Sequence, residues 1–286
     1  TTRQARYFLK TEKDKEVVVS LKDGVAEDKV WKENFLQDFE TLPKNVRDIC
    51  EYGFLEMLNN AIDHSEGTFV VIRAEWESDS VKIKIKDNGI GIFRKIKNAL
   101  GLGDERESAL HLSKGKFTTD PDNHTGEGIF FTSRAFDYFH IFTRGISYAR
   151  DNSEEDWFIE TGQASQKSGT GLEMIISLDS KRNLQEVFAE YTGEDSEGLL
   201  KFDKTHIEVV LSMLGDERYV SRSQARRICL GLEKFKHVIL DFKGISTVGQ
   251  GFVDEVFRVF QSKYPKIKIE YTNTNDNVRF MIERSL

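Results

Sequence analysis

The sequence predicts an α/β protein with two domains. Its 286 residues are enough for two domains of ordinary size. Short apolar runs typical of strands alternate with segments in which apolar residues recur at helical spacing. A charged stretch near 180–198 separates two regions that each contain both patterns. We therefore expect an N-terminal segment over 1–25, a first domain over 26–180, a linker over 181–199 and a second domain over 200–286.

Composition and charge exclude several classes of protein. The net charge of −7 argues against a nucleic-acid-binding surface over the whole chain, which would need a basic excess. No apolar run approaches the roughly 20 residues that a membrane span needs, and no signal peptide is visible. The only two cysteines, Cys50 and Cys229, are far apart, so we expect free thiols and a cytoplasmic location, with no membrane partner.

The first domain has a predictable order of strands and helices. At 81–86, valine and isoleucine alternate with lysine, which is typical of a strand with one buried face. The predicted strands are 17–19, 68–76, 81–86, 138–142, 157–161 and 172–178. The predicted helices are 28–39, 45–65, 93–112 with a break near Gly101, and 127–136.

The second domain alternates strands with helices. The predicted strands are 207–211, 237–242 and 267–271, and the predicted helices are 221–235, 252–264 and 277–284. Because a helix between two strands returns the chain to the same end of the sheet, this order predicts at least partly parallel pairing.

Three polar residues share one face of the predicted helix at 45–65. Glu56, Asn60 and Asp63 stand at i, i+4 and i+7, opposite an apolar stripe that includes Leu55 and Ile62. The Asn60 amide oxygen can complete the shell of a magnesium ion held otherwise by phosphate oxygens and water. Glu56 can orient or deprotonate a water aimed at a γ-phosphate. A polar helix face that simply meets solvent would give the same pattern.

A glycine-containing turn follows the strand at 81–86. It reads Asp-Asn-Gly-Ile-Gly and begins with Asp87. A carboxylate at this position accepts a hydrogen bond from an exocyclic amine, which suits adenine. Gly89 and Gly91 allow close backbone approach and positive φ. An ordinary turn at the end of a strand is the alternative, because Asp-Asn-Gly is a good turn sequence by itself.

Two further glycine segments suit a nucleotide. Gly126 and Gly128 open a predicted helix, whose backbone N–H groups can bind phosphate. Thr170, in Ser-Gly-Thr-Gly, can donate a hydroxyl hydrogen bond near the adenine. Lys114 and Lys116 precede the first of these segments and can contact phosphates if their loop closes, although loop lysines are more often simply solvated.

The helix segment 56–63 and the three glycine segments 87–91, 126–128 and 168–171 follow one another along the chain. In this order, they resemble the N, G1, G2 and G3 boxes of the GHKL ATPase superfamily. That superfamily includes gyrase-type topoisomerases, Hsp90 chaperones, MutL-type repair proteins, histidine kinases and anti-sigma-factor serine kinases. The resemblance covers about 45–178 and implies an α/β sandwich with helices on one face of a mixed sheet, and ATP and Mg²⁺ as cofactors. It also implies that Glu56 is the general base, Asn60 the magnesium ligand and Asp87 the adenine reader, with 113–126 in a mobile ATP lid.

The two ends of the chain resemble other domains. The segment 238–253 is similar to the strand–loop–helix centre of STAS domains, so we expect a STAS-like domain at 200–286. The phosphorylated serine of those regulators is replaced by Gln250, which cannot accept a phosphoryl group. The segment 2–9 resembles the last wing strand of a winged-helix domain, and DNA is expected as a partner only if such a domain precedes it.

These features lead to one functional expectation and two alternatives. We expect a bacterial Mg·ATP-binding regulatory protein with slow ATPase activity. Lid closure would switch contacts with the STAS-like domain, a partner protein, a second copy of the chain or DNA, in signalling or transcription regulation. An anti-sigma-type serine/threonine kinase is the first alternative. A module that senses ATP without hydrolysing it is the second.

Overall fold

The computed structural model describes residues 13–22, 24–118, 125–153, 156–161, 169–194, 200–213 and 220–286. These residues divide into two compact units. The first comprises the described residues of Thr1–Gly91 and Thr132–Leu184, and the second those of Ile92–Phe131 and Gln185–Leu286. The expected wing strand at 2–9 lies outside the described residues.

A seven-stranded sheet forms the first unit, in the order β1-β2-β3-β7-β4-β5-β6. Its strands are β1 (Lys13–Ser20), β2 (Phe69–Trp76), β3 (Ser80–Asp87), β4 (Tyr138–Thr143), β5 (Ile146–Asp151), β6 (Asp156–Thr161) and β7 (Gly171–Ser177). A sheet with both parallel and antiparallel pairs was expected, but all six pairings are antiparallel. The reason is that β2–β3, β4–β5 and β5–β6 are joined by short turns, which reverse the chain direction.

Strand β5 was not expected from the sequence. Its burial does not alternate, because the adjacent residues Tyr148 and Ala149 are both buried. The turn before it carries the clearer signal. Arg144 and Gly145 have φ values of 49° and 86°, and a two-residue hairpin loop favours positive φ at both positions.

Three helices, α1 (Glu27–Asn34), α2 (Leu36–Phe39) and α3 (Lys44–His64), precede the main strands of the first unit. Helix α3 contacts β3 and β7 through a buried face that contains Phe54, Met57, Leu58 and Ala61. Of the residues predicted for the apolar side, Phe54 and Leu58 are buried as expected, whereas Leu55 and Ile62 are only half-buried. Positions i, i+3, i+4 and i+7 from residue 54 share one face, and 55 and 62 flank it.

The second unit contains a three-stranded parallel sheet, which confirms the expected parallel pairing. Its order is β10-β11-β12, with β10 (Lys204–Glu208), β11 (His237–Asp241) and β12 (Lys268–Thr272). Helix α8 (Arg222–Cys229) follows β10. A second helix begins at α9 (Gln250–Val253), continues as a π-helix (Asp254–Phe260) and ends at α10 (Gln261–Lys263). Helix α11 (Asp276–Glu283) ends the chain's regular structure.

The second unit also includes elements that precede its parallel sheet in the chain. These are α4 (Ile92–Leu100), α5 (Glu107–Lys114), the first turn of α6 (Gly128–Ala135), α7 (Leu184–Tyr191) and the hairpin β8 (Thr192–Glu194) with β9 (Leu200–Phe202). The stretch at 181–199 thus contains regular structure, with Val187 and Tyr191 buried. The domain boundaries stay a prediction. Cys50 and Cys229 are free thiols, as expected.

Candidate functional site

Helix α3 presents the predicted polar face with Glu56, Asn60 and Asp63. Glu56 and Asn60 are half-buried and Asp63 is exposed. The Asn60 Nδ2 donates a hydrogen bond to the Glu56 backbone oxygen at 2.8 Å. This bond orients the amide, so that Oδ1 is the end turned away from the helix backbone. An oxygen presented in this way can ligate a hard cation.

At the end of β3, Asp87 joins two glycine segments. Its Oδ1 accepts hydrogen bonds from the N–H of Gly89 at 2.7 Å and of Thr170 at 3.1 Å. The Thr170 hydroxyl also bonds the carboxyl group, and the Asp87 N–H donates to the Thr170 oxygen at 3.0 Å. Burial raises the pKa of Asp87, and these hydrogen bonds oppose that rise. Asp87 is 5% exposed, so its carboxyl group is held at a defined position with little solvent.

The glycines of these segments are required by the protein's own backbone. A Cβ on Gly89 would overlap the Ser65 carbonyl, and a Cβ on Gly169 would overlap the Asp87 carbonyl. Gly91 has a φ of +88°, which L side chains rarely adopt. The first and third glycine segments therefore pack directly against each other and against the end of α3.

Residues outside the predicted set also build this turn. Ser65 accepts a hydrogen bond from the Ile90 N–H at 2.9 Å, and the Thr143 hydroxyl donates to the Gly169 oxygen at 2.6 Å. Asn88 Oδ1 accepts the N–H groups of Thr68 and Phe69 at the start of β2. Asn88 could have been found in the Asp-Asn-Gly turn. Ser65 and Thr143 carry no local signal, because their contacts join distant parts of the chain.

The second glycine segment belongs to the second unit. Gly126 has a φ of +72°, and a Cβ there would overlap the backbone of Phe117. Helix α6 begins at Gly128. The structure thus brings Asp87, Gly89, Gly91 and Thr170 together, and Glu56 with Asn60 and Asp63 on α3. Gly126 and Gly128 lie in the other unit with Lys114 and Lys116.

The Lys114 side chain makes hydrogen bonds within the second unit. It is 2% exposed, and its Nζ donates to the backbone oxygens of Arg227 at 2.6 Å and Leu230 at 3.0 Å. Burial lowers the pKa of Lys114 to about 7, while Cys229 and Glu233 favour the charged form. A phosphate contact by Lys114 stays a prediction that requires both hydrogen bonds to break.

Lys116 also makes its contacts within the second unit. Its Nζ donates to the Lys234 oxygen at 2.9 Å and lies 4.8 Å from the ring centroid of Phe235 and 5.4 Å from that of Phe202. Burial lowers the pKa of Lys116, and the nearby Glu127 carboxylate partly opposes this decrease. Both lysines thus help to hold residues 114–116 in the second unit.

The donor set suits a magnesium ion held mainly by its nucleotide. Among the described residues, no three His, Cys, Asp or Glu side chains could form a metal site together. Asn60 offers one amide oxygen, and the remaining ligands would be phosphate oxygens and waters. Mg²⁺ often binds in this way, since it keeps several waters and uses few protein ligands.

Two family models match the chain. The model described as histidine kinase-, DNA gyrase B-, and HSP90-like ATPase matches residues 47–198. The model of a STAS-like domain of unknown function matches residues 224–279. The expected GHKL and STAS-like resemblances are confirmed.

Relatives share only part of the chain. The sensor protein VraS of Staphylococcus epidermidis is 34% identical over 79 residues, which are 27% of this chain and 22% of that protein. VraS of Staphylococcus haemolyticus is 33% identical over the same shares. The chain therefore spans about a fifth of the length of these relatives. A topoisomerase IV ATP-binding domain of Francisella tularensis, in complex with a small-molecule inhibitor, matches with a TM-score of 0.23 and 11% identity, covering 56% of this chain and 41% of that one.

The matched range 47–198 contains the polar face of α3 and all three glycine segments. Within the described ranges, no helix has both the length and the hydrophobicity needed to cross a bilayer. The expected α/β class is confirmed by the antiparallel sheet with its helices and by the C-terminal parallel unit. Because the first family model matches more than half of the chain, the chain belongs to the histidine kinase-, DNA gyrase B- and HSP90-like ATPases, which implies ATP binding, and it carries a STAS-like domain after the ATPase domain.

Proposed function

We propose that this chain is an Mg·ATP-binding regulatory protein with slow ATPase activity. Its nucleotide state would change the contacts of the STAS-like domain with a partner protein, a second copy of the chain or DNA. The observation that carries the proposal is the buried Asp87 carboxyl group, held by Gly89 and Thr170 at the end of β3. Helix α3 contacts β3 through its apolar face, and its polar face with Glu56 and Asn60 supplies the remaining chemistry.

Asp87 is the proposed adenine reader. A buried carboxylate is unfavourable unless its oxygens are hydrogen-bonded. The backbone N–H groups of Gly89 and Thr170 satisfy Oδ1, and the exocyclic amine of adenine would add a donor to the same group. Guanine carries a carbonyl at the corresponding ring position, so the carboxylate disfavours it.

Asn60 and Glu56 are proposed to act at the phosphates. The oriented Asn60 Oδ1 would hold the magnesium ion, which neutralises charge on the phosphate oxygens when bound. Glu56 would accept a proton from a water as the water oxygen bonds to the γ-phosphorus. The bond from that phosphorus to the bridging oxygen breaks, and ADP leaves. A module that only holds ATP has no need of a carboxylate at position 56.

A protein kinase is the second candidate. The curated relatives that match 79 residues are named sensor proteins, and Glu56 would serve a protein hydroxyl as well as water. The exposed Gln250 cannot accept a phosphoryl group, so any acceptor would be another residue or another protein.

The test follows the γ-phosphate. Purified protein is incubated with γ-labelled ATP and Mg²⁺, and the label is separated into free phosphate and protein-bound fractions. We expect free phosphate from the wild type and at least a hundredfold less from Glu56→Gln, with ATP binding retained. Glu51→Gln, on the same helix, is the matched control and should keep the activity.

Two other results would replace the proposal. Label that accumulates on the protein would make the chain a kinase. Bound ATP with neither product would leave a nucleotide-sensing module without hydrolysis.

A further inference from the structure

A single aromatic side chain of the C-terminal region contacts both sides of the second glycine segment. Phe202, in β9, is 4% exposed. Its ring centroid lies 4.5 Å from that of Phe130 and 5.0 Å from that of Phe131, just after the segment. On the other side, a Cβ on Gly115 would lie 2.7 Å from the Phe202 ring, and Lys116 lies over that ring. We call residues 114–118 and 125–131 the loop base.

Hydrogen bonds add polar attachments to the loop base. The Thr205 hydroxyl donates to the Lys114 oxygen at 2.8 Å, and Thr205 is fully buried. Lys116 and Lys234 exchange two bonds, each Nζ donating to the other's backbone oxygen at 2.9 and 3.0 Å. The Lys114 ammonium caps the C-terminal carbonyls of α8 at Arg227 and Leu230.

These contacts fix the chain on both sides of Gly126–Gly128. Backbone N–H groups bind an anion well only when they are already oriented, because ordering a loop on binding lowers the affinity. A loop base held by a buried ring and a buried hydroxyl needs less ordering when a ligand binds. The attachments come from residues 200–286, beyond the end of the matched ATPase model at 198.

We propose that Phe202, Thr205 and Lys234 of the C-terminal region are positioning residues for the phosphates of ATP. They act by holding the loop base that carries Gly126 and Gly128, so the nucleotide site depends on residues that follow the matched ATPase model. This inference rests on the proposed function. Because coupling free energies are reciprocal, a partner that loosens these contacts weakens ATP binding, and ATP in turn stabilises them.

The test compares ATP with adenosine, which has no phosphates. Both are measured by displacement of a fluorescent adenine nucleotide from the full chain in the presence of Mg²⁺. We expect Thr205→Val and Lys234→Met to weaken ATP at least fivefold and to leave adenosine unchanged. Thr205→Ser keeps the hydroxyl and should restore ATP affinity. Lys266→Met, an exposed lysine substitution in the same region, is the matched control.

The outcomes separate the two proposals. If the variants bind ATP as tightly as the wild type, the positioning role is overturned while the proposed function stands. If ATP and adenosine weaken together, the effect is structural, and the positioning role is again overturned. If the wild type binds neither ligand, the proposed function fails and the inference fails with it. Should Thr205→Val not fold, the exposed Lys234→Met still gives the decisive comparison.

Discussion

The local chemistry of the site depends most on how Asp87 and Asn60 are oriented by their neighbours. Spacing along α3 was enough to predict that Glu56, Asn60 and Asp63 share a face. The hydrogen bond that turns the Asn60 amide could not be predicted, because it depends on a side-chain rotamer. Ser65 was missed for a different reason, since its contact with Ile90 arises only when β3 reaches the end of α3.

A substitution at Asn60 tests the proposed magnesium ligand. Asn60→Ala removes the amide oxygen, so we expect affinity for Mg·ATP to fall at least tenfold, and affinity for ATP without Mg²⁺ to change little. Titration with ATP in Mg²⁺ and in EDTA measures both. Asn59→Ala, at a neighbouring position on another face of the helix, is the control. Equal losses with and without the metal would show that Asn60 does not act through magnesium.

At the scale of the elements, the turn after β3 is tightly constrained. Gly89→Ala places a methyl group on the Ser65 carbonyl, so we expect destabilisation of about 2 kcal/mol or more. The midpoint of thermal unfolding, followed by circular dichroism, measures it. Gly103→Ala meets only the end of the Glu107 side chain at 3.7 Å and should change stability by less than about 0.5 kcal/mol. Similar midpoints for the two variants would contradict the overlap.

Lys114, at the buried end of α5, makes the stability of the protein depend on pH. The pKa of Lys114 is lowered to about 7 by burial, so between pH 7 and about 10 the unfolded chain binds more protons than the folded chain. Stability from this group therefore rises with pH across that range. We expect Lys114→Met to flatten the rise in denaturation midpoint between pH 7 and 9.5, and Lys266→Met to leave it intact. Parallel profiles for all three proteins would exclude the effect.

Element boundaries show what local patterns miss. The helix predicted at 221–235 ends at Cys229, because Gly231 adopts a φ of +88° and turns the chain. Its start was predictable, since Gln224 accepts a hydrogen bond from the Ser221 N–H at 3.0 Å. Helix α7 was hidden in a charged stretch, where only Val187 and Tyr191 are buried.

At the scale of the whole molecule, order along the chain differs from grouping in space. The described residues of 92–131 precede the last strands of the first unit but belong to the second. Phe130 meets Phe202 across 71 intervening residues. No local pattern records such a contact, so the family match and the predicted boundaries could not reveal it.

Calorimetric titration of Mg·ATP into wild type and Asp87→Asn shows whether the Asp87 carboxylate reads the adenine of ATP. Asparagine keeps the Oδ1 acceptor for Gly89 and Thr170 and replaces the other oxygen with a donor. We expect saturable binding to the wild type and affinity at least about tenfold weaker in the variant, since a hydrogen bond to a charged group is worth about 1.5–3 kcal/mol. Unchanged unfolding midpoints would establish that the variant is folded. Equal affinities for Mg·ATP, or no binding by the folded wild type, would show that Asp87 does not read the adenine of ATP.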